Sequence, residues 1–378
     1  MPERWNLIFL KLEDKTIKSI LIVLLFCVVE TSLGATITIN NHSGAEALYT
    51  AAVTAQRGDT IILEPGRYYL NRELRFGARG LTVRGKNPKS VILDFTNQKQ
   101  GAQGILVRGW DITLTGFSVL NPVGDGVVIR NSGRILVSNV LVSMGPSGNK
   151  NNGGYGLYPV RSRDVTIEDC TVSGATDAGI YLGQSINAKI VNNHAFGNVA
   201  GVNVENSFNV NIQNNVFNDN TVGALLISLP DMIYPKSKNI LFDGNVLKNN
   251  NRTNFARIGN IVSLFASGTG LALVATSTVN VHGNSFAENA HNDVLLANYS
   301  YLKRPPHDSR YDPRLSYAFI GKQKDKIRIF WDGVFDTRND SMPFCLEGLS
   351  AYSINTLYDH MNDCRSAPNI SIEVERPK

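Results

Sequence analysis

Cysteine is scarce here, with four in 378 residues, which excludes a small domain stapled by many disulfides. Charge is scarce too, at 18%. No basic run interleaved with aromatics occurs, so no nucleic-acid partner is expected. The six histidines are scattered, without His-x-His or Glu-x-x-His spacing, so neither a metal nor a cofactor is expected. Gly-x-Ser-x-Gly, phosphate-loop and dinucleotide fingerprints are missing. The net charge of +5 permits an acidic partner without requiring one.

Long hydrophobic runs are also missing. The apolar stretch 19–29 (SILIVLLFCVV) is too short for a confident membrane span. It follows Lys15 and Lys18 and precedes Ser32-Leu33-Gly34, the pattern of a secretory leader over residues 1–34. The expectation is an exported protein, periplasmic or extracellular, reaching a membrane only if this segment stays uncleaved. In an oxidising compartment Cys345 and Cys364 are a disulfide candidate, whereas Cys170, at the end of a core strand, reads as a buried free thiol.

What the chain does have is a repeat. GIYLGQSINAKIVNN (179–193) and GVNVENSFNVNIQNN (201–215) share one frame, which also fits blocks opening at Gly104, Gly126, Gly156, Gly223 and Gly270. The Gly-to-Gly steps are 22, 30, 23, 22, 22 and 47. A fixed period of this size signals a solenoid. Alternation puts Ile105/Val107, Val127/Ile129, Leu157/Pro159, Ile180/Leu182, Val202/Val204, Ala224/Leu226 and Leu271/Leu273 on one inward face. Stacked about 4.8 Å apart, such faces become a continuous core. Asn139, Asn193, Asn215, Asn245 and Asn284, with Asp169 once, recur at strand ends as a ladder of stacked amides.

The fold expected is all-β: a single-stranded right-handed parallel β-helix with an N-terminal capping helix and an irregular C-terminal cap. Residues 35–58 form the N-terminal cap, with an amphipathic helix over 44–56. Residues 59–300 form the coils, and the repeat stops at Tyr301, leaving 301–378 as the tail. The step of 30 holds an insertion at 143–155. The step of 47 reads as two coils, with a second insertion over 230–268.

Outward positions carry the candidate chemistry. One column runs Leu106, Val128, Tyr158, Tyr181, Asn203, Leu225, Ala272; the next runs Arg108, Arg130, Val160, Gly183, Glu205, Ile227, Val274. Arg108, Arg130, Tyr158, Tyr181, Asn203 and Glu205 make a strip suited to an extended sugar polymer, with aromatic faces for pyranose rings and guanidinium groups for carboxylates. Asp177 and Tyr181 are the catalytic candidates. Asp125 and Asp177, in the turns before Gly126 and Gly179, either cap those turns or join the strip. Leu225, Ile227 and Val274 either expose an apolar patch for a protein partner or lie under the 230–268 insertion.

GLYPVRS (156–162), TDAGIYLGQS (176–185), NVAGVNVENS (198–207) and NTVGALLISLP (220–230) resemble the blocks of bacterial exported parallel β-helix repeat proteins of the pectin-lyase-like superfamily. The resemblance implies the right-handed fold and an exported location. The wider superfamily holds polysaccharide lyases, hydrolases and uronate epimerases. The Asp-Pro-His motif of alginate epimerases is absent, with Tyr158-Pro159-Val160 as the nearest analogue, and so are the clustered aspartates and Gly-His-Gly of polygalacturonases. Two functions stay open: an exported protein acting on a uronate-containing polysaccharide, or a non-catalytic scaffold for a protein partner or cell-surface component.

Overall fold

The computed structural model describes residues 34–302 except 231 and 298, together with 317–320, 324, 328–332 and 352–353. Residues 1–33, which hold all but the last position of the expected leader, and the disulfide candidates Cys345 and Cys364 lie outside the described residues.

Each coil is three short strands. In one coil these are Ala178–Gly183, Ile186–Val191 and His194–Phe196, and the chain reaches Ala200 one level up. Equivalent strands of successive coils pair in parallel, giving sheets of 11, 11 and 9 strands among the described residues, one of which ends in an antiparallel strand, Tyr352–Ser353. The expected inward faces form one continuous core, in which Ile105, Val127, Leu157, Ile180, Val202, Ala224 and Leu271 are sealed from solvent. Each such Val, Ile or Leu contributes about 1.5–3 kcal/mol of burial.

Closing a coil in about 22 residues needs sharp corners, and the sequence supplies residues that tolerate left-handed backbone. In the coil above they are Gln184, Asn187, Asn192 and Gly197, with φ of 48°, 56°, 57° and 66°. At three of these corners the next residue, Ser185, Asn193 or Asn198, turns inward and bonds a neighbouring coil. Asn215 shows the result. Its Nδ2 donates to Ile190 O (2.8 Å) and to Asn245 Oδ1 (2.9 Å), while its Oδ1 accepts from the backbone N (2.9 Å) and Nδ2 (3.0 Å) of Asn193. Both donors and both lone pairs of the amide are used, so its burial carries no desolvation penalty of about 1–3 kcal/mol per unmet group.

The ladder Asn193–Asn215–Asn245–Asn284 is as expected, but Asn139 and Asp169 are not rungs. They are exposed left-handed corner residues, and the inward slot falls one position later, at Val140 and Cys170. Cys170 is indeed a buried free thiol, with its ionisation pushed up to about 12 by burial. Two further ladders hold the other corners: Asn198–Asn220–Asn250–Asn289, and the serines Ser132, Ser162, Ser185, Ser207 and Ser237.

Three expectations are corrected. The step of 47 is one coil, since Val222 pairs directly with Thr269. Its extra length is two loops, 228–237 and 249–268, separated by the strands Lys238–Asp243 and Val246–Lys248. At the N-terminal end the sheet starts before the helix: Thr36–Ile39 pairs with Thr60–Leu63, and the helix Gly44–Thr54 follows that first strand. Beyond Tyr301 two sheets continue, Tyr317–Ile320 onto Ser277–His282 and Arg328–Asp332 onto Asn292–Ala297.

The helix closes the early coils by burying Leu48, Tyr49, Ala51 and Ala52. The Tyr49 hydroxyl donates to Arg72 O (2.8 Å) and accepts from Arg72 N (2.9 Å), meeting the edge of the first strand of the sheet that carries the candidate site.

Candidate functional site

The outward columns hold in register. Leu106 pairs with Val128 and Val128 with Tyr158; Tyr181 pairs with Asn203, and Asn203 with Leu225. Alongside, Gly183 pairs with Glu205 and Glu205 with Ile227. Parallel pairing therefore brings side chains 22 or 30 residues apart into contact without any loop having to place them.

Tyr158 and Tyr181 meet edge to face with ring centroids 4.9 Å apart. A third ring joins them, Tyr155, at 4.5 and 4.7 Å from the other two. Tyr155 escaped the sequence reading because it closes the Gly-rich 143–155 insertion; its register with Ala178, at the start of the neighbouring strand, is the signal that could have found it. The Tyr181 ring lies across Gly183, where an added Cβ would sit 2.4 Å from its Cε1 and hydroxyl. That gap lets the hydroxyl reach Glu205 on the adjoining strand, to which it hydrogen-bonds.

Three carboxylates share this face. Asp125 and Asp177 stand at the entry ends of strands two coils apart, with Gly154 between them, and Glu205 stands at an exit end. Asp125 Oδ1 accepts from Tyr155 N (3.1 Å), so this Asp does cap a turn, across coils, and it also joins the cluster. Asp177 is buried, hydrogen-bonded to the Tyr155 side chain, and its Oδ2 accepts from Asn260 Nδ2 (3.1 Å).

Burial pushes Asp177 up to about 7, with the Glu205 and Asp125 charges adding to it and the Tyr155 and Asn260 hydrogen bonds opposing it. Glu205 is also pushed up to about 7 by burial, against the Tyr181 hydrogen bond. Asp125 rises to about 6 through burial, held back by the Tyr155 N–H and the charges of Arg130 and Arg257. Tyr155 and Tyr181 are pushed up as well, first by burial and then by these carboxylates. The cluster thus combines three carboxyl groups raised toward neutral pH with the tyrosine hydroxyls hydrogen-bonded to two of them.

Of the sequence candidates, Arg130, Tyr158, Tyr181, Asn203, Glu205 and Asp177 come together on this face. Arg130 acts electrostatically on both Asp125 and Tyr158. Arg108 lies one coil below Arg130, exposed at the end of its strand. Asn203 is 3% exposed, and its Oδ1 is buried without a hydrogen-bond partner. Asn260 and Arg257 come from loop 249–268, where no periodicity marks them.

Leu225, Ile227, Ala272 and Val274 form no exposed patch. They are sealed under Leu229, Phe255, Val262, Phe265, Tyr299 and Leu302, a roof made from the two loops and the start of the tail. A groove of about 790 Å³ lies on a different sheet, over Thr166, Lys189, Asn211 and Asn280, and is walled by the amide rail Asn187–Asn209–Asn239. Among the described residues its ionisable lining is Asp164 and Lys189.

The stacked coils and their register define a right-handed parallel β-helix protein. Residues 103–286 match the family model described as the right handed beta helix region. No curated protein matches the chain in sequence. Among solved structures, the A-module of mannuronan C-5 epimerase AlgE4 from Azotobacter vinelandii is similar at TM-score 0.55 and 18% identity, covering 80% of this chain and 86% of that one. The enzymatically active domain of bacteriophage CBA120 tailspike protein 2 follows at TM-score 0.49 and 12% identity, covering 76% of this chain and 40% of that one. At these identities the likeness is one of fold.

Proposed function

We propose that this protein binds a uronate-containing polysaccharide and carries out proton-transfer chemistry on it. One observation carries the reading: Asp125, Asp177 and Glu205, with ionisation raised into the range of about 6 to 7, share a sheet face with three tyrosines and Arg130. A general base works best when its pKa lies near the operating pH, and burial has moved these groups there. Arg130, with Arg108 below it, pairs with substrate carboxylates and draws charge from the carbon next to them. Asp177, relayed by Tyr155, takes the proton from that carbon, and Tyr181, held by Glu205, returns one to the opposite face or to a leaving oxygen. The mannuronan epimerase module shares only the fold, so its named substrate lends this chain no residue roles. The leader at 1–34 is proposed to take the protein out of the cytoplasm, where such polymers lie.

The scaffold reading rests on the missing catalytic sets and places a partner on the long insertions and tail; the exposed apolar patch that would support it is covered by the roof of this same chain. The test is binding and turnover of the protein from Ala35 onward on alginate, polygalacturonate and neutral glucans, with Arg130→Ala and Asp177→Asn alongside. The expected result is selective binding of a uronate polymer, weakened at least about tenfold by Arg130→Ala, roughly the loss of one charge-assisted pair. Turnover should vanish in Asp177→Asn. Indifference to both uronate polymers sinks the proposal.

A further inference from the structure

The two directions along the rod axis from the carboxylate cluster differ. Toward the N-terminal coils the face is partly open: Tyr158, Arg130 and Leu106 keep part of their surface in solvent and Arg108 is exposed, while Val128 and Val160 beside them are covered. Toward the C-terminal coils it is shut. Leu225 and Ala272 are 0% exposed and Leu295 is 3% exposed beneath the roof. The roof's near edge stands directly on the cluster through the Asn260–Asp177 hydrogen bond. Arg257 on the same edge reaches toward Asn152 O of the 143–155 loop (3.5 Å), so the two loops close together.

We infer that the site is blind-ended and receives the end of a glycan rather than the middle of one. This deepens the proposed function and rests on it. A chain entering past Arg108 and Arg130 runs up the column of outward side chains and stops against Asn260 and Arg257, because the apolar roof leaves no continuing path. Asn203 sits at the foot of this wall with an unpartnered buried acceptor. A terminal sugar carries a free hydroxyl where an internal sugar carries a glycosidic oxygen, and only the hydroxyl has a hydrogen to give. The unpartnered Asn203 carbonyl, level with Tyr181 one coil on, accepts from such a terminal hydroxyl, making Asn203 the positioning residue for chain ends. Sites that leave a buried polar group unpaired with the wrong ligand discriminate strongly.

The experiment measures binding of the purified protein to size-fractionated polymannuronate and polygalacturonate at equal mass. End recognition makes binding capacity per unit mass fall in inverse proportion to chain length. Capacity independent of length overturns the inference and leaves the proposed function standing. No binding of either polymer at any length overturns both. Asn203→Leu keeps the volume and removes the acceptor; it should bind with a lost preference for fragments with free ends over fragments with methylated terminal hydroxyls. An Asn203→Leu protein that melts like the parent and still distinguishes them overturns the role of Asn203.

Discussion

Two neighbouring parts of one sheet invite comparison. The strands Ala178–Gly183 and Ala200–Glu205 carry tyrosine, asparagine and glutamate outward; the strands Val222–Ile227 and Thr269–Val274, one and two coils on, carry leucine, isoleucine, alanine and valine at the same places. Register, inward core and corner ladders are shared by both. Outward side chains in both are largely covered, but by different means. The first part is closed by tyrosines and hydrogen-bonded carboxylates, the second by an apolar roof. The coil is thus a neutral carrier, and the two outward columns alone decide whether a stretch becomes a candidate site or a foundation for a loop.

The sharpest way to break this contrast is to put a charge in the apolar part. Leu225→Asp buries a carboxylate with no partner under Phe255 and Phe265, and it should cost about 3–5 kcal/mol and loosen the roof. Chemical denaturation, with proteolysis of loop 249–268 as a second readout, checks it; a loss under about 1 kcal/mol means the roof is not packed there.

A second contrast is electrostatic, since only the polar part should titrate near neutrality. The ordinary carboxyl values are 3.8 for Asp and 4.5 for Glu, and the folded values of Asp177 and Glu205 are raised to about 7. Between those limits the folded state holds protons the unfolded state has released. The stability these groups contribute is therefore full below about pH 4 and is lost as pH rises through about 7. Melting temperature should fall from pH 5 to pH 8, and Asp177→Asn should flatten that slope, whereas Leu225→Val should not change it. A parent protein whose melting is flat or rising over that range refutes the burial of these carboxylates.

The smallest expected effect is at Gly183. Gly183→Ala places a methyl group 2.4 Å from the Tyr181 ring and hydroxyl, so the flexible ring must swing off Glu205. The expected loss is about 1–2 kcal/mol, with a change in the pH profile of any turnover. An unchanged profile would show that the Tyr181–Glu205 bond plays no part.

How much of this was readable from the chain follows from what carries period. The fold and both outward columns were legible because inward Ile, Leu and Val recur at a fixed step with strict alternation, and parallel pairing preserves that step. The rungs were read one residue early at Asn139 and Asp169, because at 192–193 and 214–215 the left-handed corner residue and the inward rung are both Asn and only geometry separates them. The serine ladder passed unnoticed since serine is common everywhere. Tyr155, Asn260 and Arg257 were not found, and the step of 47 was miscounted, for one shared reason: loops carry no period, and where they land depends on the surface they cover. Asp125 and Asp177 were legible as turn residues, but their raised ionisation comes from burial within the folded cluster, which no local pattern announces.

The amide ladders also give the rod a heading. Asn193 donates forward to Asn215, Asn215 to Asn245 and Asn245 to Asn284, while each of these later residues reaches back to a carbonyl of the level below. Every finished level therefore offers the next one a ready template, in the order in which a chain emerges from a narrow exit. A protein built this way can set its structure tier by tier, each level resting only on its neighbours.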